Sequence, residues 1–255
     1  MGKTQALWPR LALDALAAVL LAPSCAACGE LLDAPTRGPV CDRCWQSILP
    51  LTPPLCDACG DPLPSWRTIS LPLAACPRCR RTTRYVARAR AIGEYDGALR
   101  AVIHAFKYEG RRSLARPLAD LMRRRGSDVL SHADILVPVP LHRSRLRERG
   151  FNQAADLARH LGVPAVTALR RIRATATQTS LPAAQRHRNV RLAFAPTRRI
   201  RAVLGRHVVL VDDVSTTGAT LEACARVLKE AGADEVLALT AARVVGRPAM
   251  WDKRA

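Results

Sequence analysis

Residues 208–220, VVLVDDVSTTGAT, constrain the fold more than any other stretch. Val208, Val209, Leu210 and Val211 are consecutive, apolar and mostly β-branched. A strand with no polar face to give to water must be covered on both sides, which predicts a parallel sheet with helices on its two faces, an α/β fold. Two adjacent carboxylates follow, Asp212 and Asp213. Then come the small residues Ser215, Thr216, Thr217, Gly218, Ala219 and Thr220, read as a turn. An amphipathic helix carrying Leu221, Ala225 and Leu228 runs from there to a stop at Gly232.

In an open α/β sheet, ligands sit in the crevice outside the carboxyl ends of the strands. Hydroxyls and backbone N–H groups at the start of the following helix suit a phosphate, aided by the helix dipole. The two carboxylates before the turn would repel a bare phosphate, so they are read as facing hydroxyls or a divalent cation. The ligand implied carries both a phosphate and a diol, as a ribose 5-phosphate does. The stretch resembles the phosphoribosyl pyrophosphate (PRPP) signature of type I phosphoribosyltransferases: apolar strand, acidic pair, then T-T-G-x-T. That resemblance implies that Asp212 and Asp213 hold the ribose hydroxyls and that Ser215–Thr220 hold the 5-phosphate. Purine-base salvage enzymes of that superfamily have Asp at the place of Thr216, which argues against a simple purine-base acceptor.

The chain has nine cysteines, and eight form four Cys-x-x-Cys pairs: Cys25/Cys28, Cys41/Cys44, Cys56/Cys59 and Cys76/Cys79. Each pair makes a tight knuckle offering two thiolates to one ion, and two knuckles complete a tetrahedral S₄ shell. Two structural zinc sites are expected. Sequential pairing is favoured over interleaved pairing, and iron–sulfur clusters are compatible with four cysteines but fit the paired-knuckle spacing less well. A closed S₄ shell leaves no open position for catalysis. Gly29 and Gly60 follow two knuckles directly, as in an internal repeat. The region has few long apolar runs, so metal must supply much of its stability. The apolar run over 5–22 is too short to span a bilayer and contains Asp14. Lys3 and Arg10 near its start could mimic an export signal, but the cysteine pairs favour a reducing, cytoplasmic compartment and a helix packed on the protein.

The 255 residues suffice for a sizeable α/β domain and a smaller one. The boundary is placed near Arg84, with the ribbon region at 1–84 and the larger domain at 85–255. Net charge is +19, which suggests an anionic partner such as nucleic acid, phosphates or an anionic membrane surface. The excess is uneven: no Asp or Glu falls between Asp156 and Asp212, where eleven Arg occur. Val86–Ile92 is expected as a strand. Tyr95–Arg125 reads as two helices broken near Gly110, with Leu99, Val102, Ile103 and Phe106 on the first apolar face. Lys107 and Tyr108 at its end could approach the site, but a capping charge is the plainer account. Asp134–Pro140 is a second buried strand, and His142–Gly150 an Arg-rich loop. Arg143, Arg145 and Arg149 there suit a pyrophosphate, because Arg forks bind phosphate oxygens in pairs. His142 and Asn152 could help to position that anion. Residues 164–201 are basic and aperiodic, read as a flap whose Gln178, Arg186 and Asn189 close on the ligand. Glu235–Val245 is a last buried strand.

The order of these features resembles the ComF family (ComFC-like, also called the GntX type): knuckles ending in Cys-Gly, then DILVPVPLHRSRLRERGFNQA, then T-x-x-Q-x-x-L and R-x-x-N-V-x-x-A-F, then the PRPP signature. The resemblance runs from about Leu16 to Arg243. It implies a double zinc ribbon on a phosphoribosyltransferase-type domain, located in the bacterial cytoplasm. It further implies a part in natural competence, with single-stranded DNA and the DNA-uptake machinery as partners. Two function classes stay open. One is a phosphoribosyltransferase that uses PRPP and Mg²⁺ with an unknown acceptor. The other is a non-catalytic nucleic-acid clamp that keeps the pocket as a sensor, although Trp45, Trp66 and Tyr85 are the few stacking platforms near the ribbons.

Overall fold

The computed structural model describes residues 14–16, 19, 22–63, 75–173 and 192–245. Most of the amino-terminal apolar run lies outside these residues. So do Trp66, the carboxyl-terminal tail and the flap positions Gln178, Arg186 and Asn189.

The first ribbon contains the short helix α1 (Asp42–Gln46) and the second ends in α2 (Pro77–Arg80). Strand β1 (Arg88–Ala91) leads to α3 (Gly97–Tyr108), α4 (Ala115–Arg125) and α5 (Ser127–Leu130). Then come β2 (Ile135–Pro138), α6 (Arg143–Arg149), α7 (Gln153–Ala158), β3 (Leu169–Arg171) and β4 (Phe194–Pro196). The last elements are β5 (His207–Ser215), α8 (Ala219–Glu230) and β6 (Glu235–Arg243). The main sheet has the order β1-β6-β5-β2, and every pairing in it is parallel. Strands β3 and β4 form a separate antiparallel pair.

Strand β5 is covered on both faces because its side chains alternate between two cores. Val209 and Val211 join one core, with α3, α4 and α7. Val208 and Leu210 join the other, with α8 and the β3–β4 pair. The same alternation runs along β6, where Leu237 and Leu239 face the first core and Val236 and Ala238 the second. The 3.6-residue period of α3 buries Leu99, Val102, Ile103 and Phe106 as its sequence requires.

Two readings change at this level. The strand leading to the acidic pair does not end at Val211 but continues through Asp212 and Asp213 to Ser215, paired with β6 as far as Ser215↔Arg243. The Arg-rich stretch after β2 is a helix, not a loop. His142 caps α6 by accepting from the Ser144 N–H, and Gly150 closes it with φ +75°.

The first ribbon packs into the larger core: Cys25, Leu32, Val40, Cys44 and Ile48 belong to the cluster that contains Phe106 and Leu118. The second ribbon keeps a small core of Cys56, Cys59 and Leu63. It docks on β1, where Ala89 N–H donates to Ala58 O at 2.8 Å and Arg90 reaches Asp57 O at 3.1 Å.

The two knuckle glycines make this docking testable. Both have positive φ, +77° at Gly29 and +72° at Gly60, so any side chain is strained there. A Cβ at Gly29 would meet nothing within 4 Å, whereas at Gly60 it would lie 2.7 Å from the backbone oxygen of Ala89. Gly29→Ala should cost about 1 kcal/mol and Gly60→Ala at least about twice that in urea unfolding. Equal costs would contradict the close docking of the second knuckle on β1.

Candidate functional site

The eight paired cysteines form two tetrads, Cys25/Cys28/Cys41/Cys44 and Cys56/Cys59/Cys76/Cys79. Within each, the four sulfurs lie within 4.8 Å of one another. The Cys28–Cys41 and Cys59–Cys76 separations are 3.9 and 3.7 Å. A zinc tetrahedron with metal–sulfur bonds of ~2.3 Å has edges of about 3.8 Å, so both donor sets fit the ion. In the absence of metal the surroundings favour a thiolate at one cysteine of each tetrad, while burial pushes Cys44 and Cys79 up and the hydrogen bond to Cys56 pushes Cys59 up. Burial opposes ionisation of Cys25, but N–H donors from Cys41, Cys28 and Ala27 outweigh it and bring the thiol down to about 6. At Cys56, a hydrogen bond from Cys59 together with backbone donors overcomes burial and brings it down to about 4. The grouping is sequential, first pair with second and third with fourth.

The second site lies where β5 ends. Asp213 is buried, and its Oδ1 is 2.8 Å from Lys107 Nζ, both side chains being almost wholly enclosed. Lys107 therefore does more than cap α3: it brings a positive charge to the acidic pair. Asp212 accepts from the Asp213 N–H at 2.9 Å. Burial, then the neighbouring Asp213 charge, pushes the Asp212 carboxyl up to about 7, opposed by that backbone donor and by Lys107 and Arg171.

The turn beyond is built for backbone exposure. Ser215 is buried, Thr216 is exposed, and Thr217 Oγ1 accepts from the Ala219 N–H at 3.4 Å. Gly218 is the N-cap of α8 with φ +78°, a conformation that favours glycine. Ala219 and Thr220 open the helix, so its free N–H groups face the same end of the sheet as the acids.

The three arginines assigned to a pyrophosphate sit on one helix but in different surroundings. Arg143 lines a cavity of about 580 Å³ with Arg170, Arg171 and Asn152. Arg145 lies close enough to Arg171 that, after burial, its charge is the next influence lowering Arg171. Arg149 stacks over the Tyr108 ring at 5.1 Å and donates to Gln153 Oε1 at 3.2 Å. Asn152 is occupied as a cap: it accepts from Ala154 N–H at 3.0 Å and donates to Val139 O at 3.1 Å.

Lys107, Arg171 and Arg243 belong to this neighbourhood; sequence allowed Lys107 to approach the site but favoured a cap, and gave Arg171 and Arg243 no place in it. Arg171 carries its guanidinium over Phe194 at 5.4 Å and feels the Asp212 charge. Lys107 had a signal: in a chain with 40 Lys and Arg in total, it is the one Lys between Lys3 and Lys229. A lysine where arginine is the rule marks a place that needs a compact charge.

Family models match both halves of this layout, a double zinc ribbon domain over residues 16–80 and a phosphoribosyl transferase domain over residues 146–255. The DNA utilization protein YhgH of Salmonella typhimurium is 34% identical over 207 residues, covering 77% of this chain and 87% of that one. The chain belongs to the ComF family. Competence protein F of Haemophilus influenzae is 30% identical over the same shares of the two chains. Competence protein ComFC of Bacillus subtilis is 28% identical over 200 residues, covering 76% of this chain and 79% of its own. This chain thus pairs a double zinc ribbon with a phosphoribosyltransferase-type fold. Among the described residues, no helix is long and apolar enough to cross a membrane.

The raised Asp212 carboxyl gives a pH test. Its value moves from 3.8 to about 7 on folding, so the folded state holds that proton more tightly than the unfolded chain does. The stabilising contribution is full below the lower value and is lost as pH rises through the upper one. Asp212→Asn removes that loss. Its thermal midpoint relative to wild type should rise between pH 4 and pH 8, with the variant the more stable at pH 8. A difference that does not change with pH would contradict the raised value.

Proposed function

We propose that the crevice at the ends of β2 and β5 binds PRPP with Mg²⁺ and transfers its phosphoribosyl group to an acceptor. One observation carries the reading. Two carboxylates, one balanced by Lys107, stand at the end of a doubly covered strand, directly before a hydroxyl-lined turn at a helix N-terminus. Asp212 and Asp213 accept hydrogen bonds from the ribose diol. The Ser215–Thr220 stretch gives backbone N–H and hydroxyl donors to the 5-phosphate. Arg143, Arg145 and Arg149 supply positive charge toward the leaving pyrophosphate, where placed cations stabilise charge as it develops. Mg²⁺, when bound with PRPP, would neutralise part of the pyrophosphate charge. The ion pair with Lys107 fixes the Asp213 side chain, so the diol meets a preorganised acceptor.

The names of the relatives support a setting for this chemistry. Proteins named for competence and for DNA utilization match 76–77% of this chain. We read the chain as a cytoplasmic protein that handles single-stranded DNA alongside the uptake machinery. Titration of PRPP with Mg²⁺ into zinc-replete protein should give saturable binding. The Asp212→Asn/Asp213→Asn variant loses charge-assisted hydrogen bonds of about 1.5–3 kcal/mol each, so affinity should fall at least about a hundredfold. Unchanged affinity would refute the reading.

The clamp reading is favoured by a separate observation: Arg170 and Arg173, in the acid-free part of the chain, are exposed. Binding of an unstructured oligonucleotide should weaken with salt, and neutralising both arginines should lower the log–log slope by about 1 for each phosphate they engage. A slope that stays put would remove these residues from any nucleic-acid surface.

A further inference from the structure

Among the described residues, Arg243 is the one arginine whose side chain is buried. It is the last residue of β6 and stands in register with Ser215, the last residue of β5 and the residue before Thr216. Its Nε donates to Asp61 Oδ1, and its Nη1 donates to Ser215 Oγ at 3.5 Å. Its Nη2 is buried with no hydrogen-bond partner among the described residues. Backbone bonds lock the same place, since Arg243 N–H donates to Gly93 O at 3.0 Å and Val244 N–H to Ser215 O at 2.9 Å.

Asp61 belongs to the second ribbon. Its other oxygen is 3.5 Å from Cys59 Sγ and 3.6 Å from Arg78 Nη2, and Arg78 lies between Cys76 and Cys79. With metal bound, Cys59 is a thiolate with no proton to give Asp61, so the route from the second tetrad runs through its knuckle residue Arg78 to Asp61, then through Arg243 to the side chain at the mouth of the turn. Four thiolates around a divalent ion carry net negative charge, and such a centre holds neighbouring cations in place. Arg243, short of one hydrogen bond, is poised between that centre and the turn.

We propose that Arg243 is a positioning residue that couples the second cysteine tetrad to the phosphate-binding turn. A metal ion in that tetrad and a sugar phosphate in the crevice then favour one another. This rests on the PRPP reading of the site. Coupling between two sites is reciprocal, so each ligand must report on the other.

The test uses the full chain with cobalt in place of zinc, since cobalt bound by four thiolates absorbs in the visible. PRPP with Mg²⁺ should shift that absorption in the wild type. Arg243→Gln and Asp61→Asn should abolish the shift and weaken PRPP binding about tenfold, each protein still holding two metal ions per chain. Arg243→Lys should restore part of both effects, which a merely structural loss would not. Asp61→Asn carries the test if Arg243→Gln does not fold, because it leaves the guanidinium in place. Wild-type binding of PRPP with no shift, or a shift and affinity unchanged in both variants, overturns the coupling and leaves the site reading standing. A metal-replete wild type that does not bind PRPP overturns the site reading and the coupling with it.

Discussion

The ion pair between Lys107 and Asp213 is the constraint on which the rest of the site depends. A strand covered on both faces has no water to offer the carboxylates at its end, and an enclosed acid without a partner is costly. Lys107 supplies the partner at 2.8 Å, which requires α3 to end within reach of β5. Removing one member of such an enclosed pair costs about 3–5 kcal/mol. Asp212, next in line, has only a backbone donor and more distant cations, and its raised carboxyl value reports that shortage. The pair is thus asymmetric, with one acid paired to a lysine and the other held by a backbone donor alone; on the proposed reading a ligand satisfies the second.

The zinc ribbons are joined to this arrangement in two different ways. The first donates cysteines and aliphatic side chains to the core that also holds α3, so it shares in fixing the helix that bears Lys107. Among the described residues, the second has a core of Cys56, Cys59 and Leu63 and is attached by hydrogen bonds to β1 and by the Asp61–Arg243 pair. A region with so little apolar surface to bury depends on its metal for order, since binding free energy becomes folding free energy where no preformed site exists in the unfolded chain.

Much of this was legible in the sequence because the signals were local. Continuous β-branched residues announced β5, the 3.6-residue period announced α3 and α4, and the Cys-x-x-Cys spacing announced the tetrads. What escaped depended on distant partners. The basic run 142–150 read as a loop because its charges hid a helical stretch closed by Gly150 and capped by His142. Lys107 read as a capping charge because its carboxylate partner lies far along the chain. Arg243 was invisible within an apolar strand, since only register with Ser215 and a contact with the second ribbon give it meaning. The acidic pair itself was found by motif, but its unequal division of charge is a tertiary property.

The most direct measurement is a crystal structure of the zinc-replete protein grown with PRPP and magnesium. The expected density places the ribose hydroxyls on Asp212 and Asp213, with Lys107 still paired to Asp213, and the 5-phosphate on the amides of Thr216–Thr220. Density for the sugar phosphate elsewhere on the surface, or a crevice that stays empty at saturating PRPP, would contradict the account.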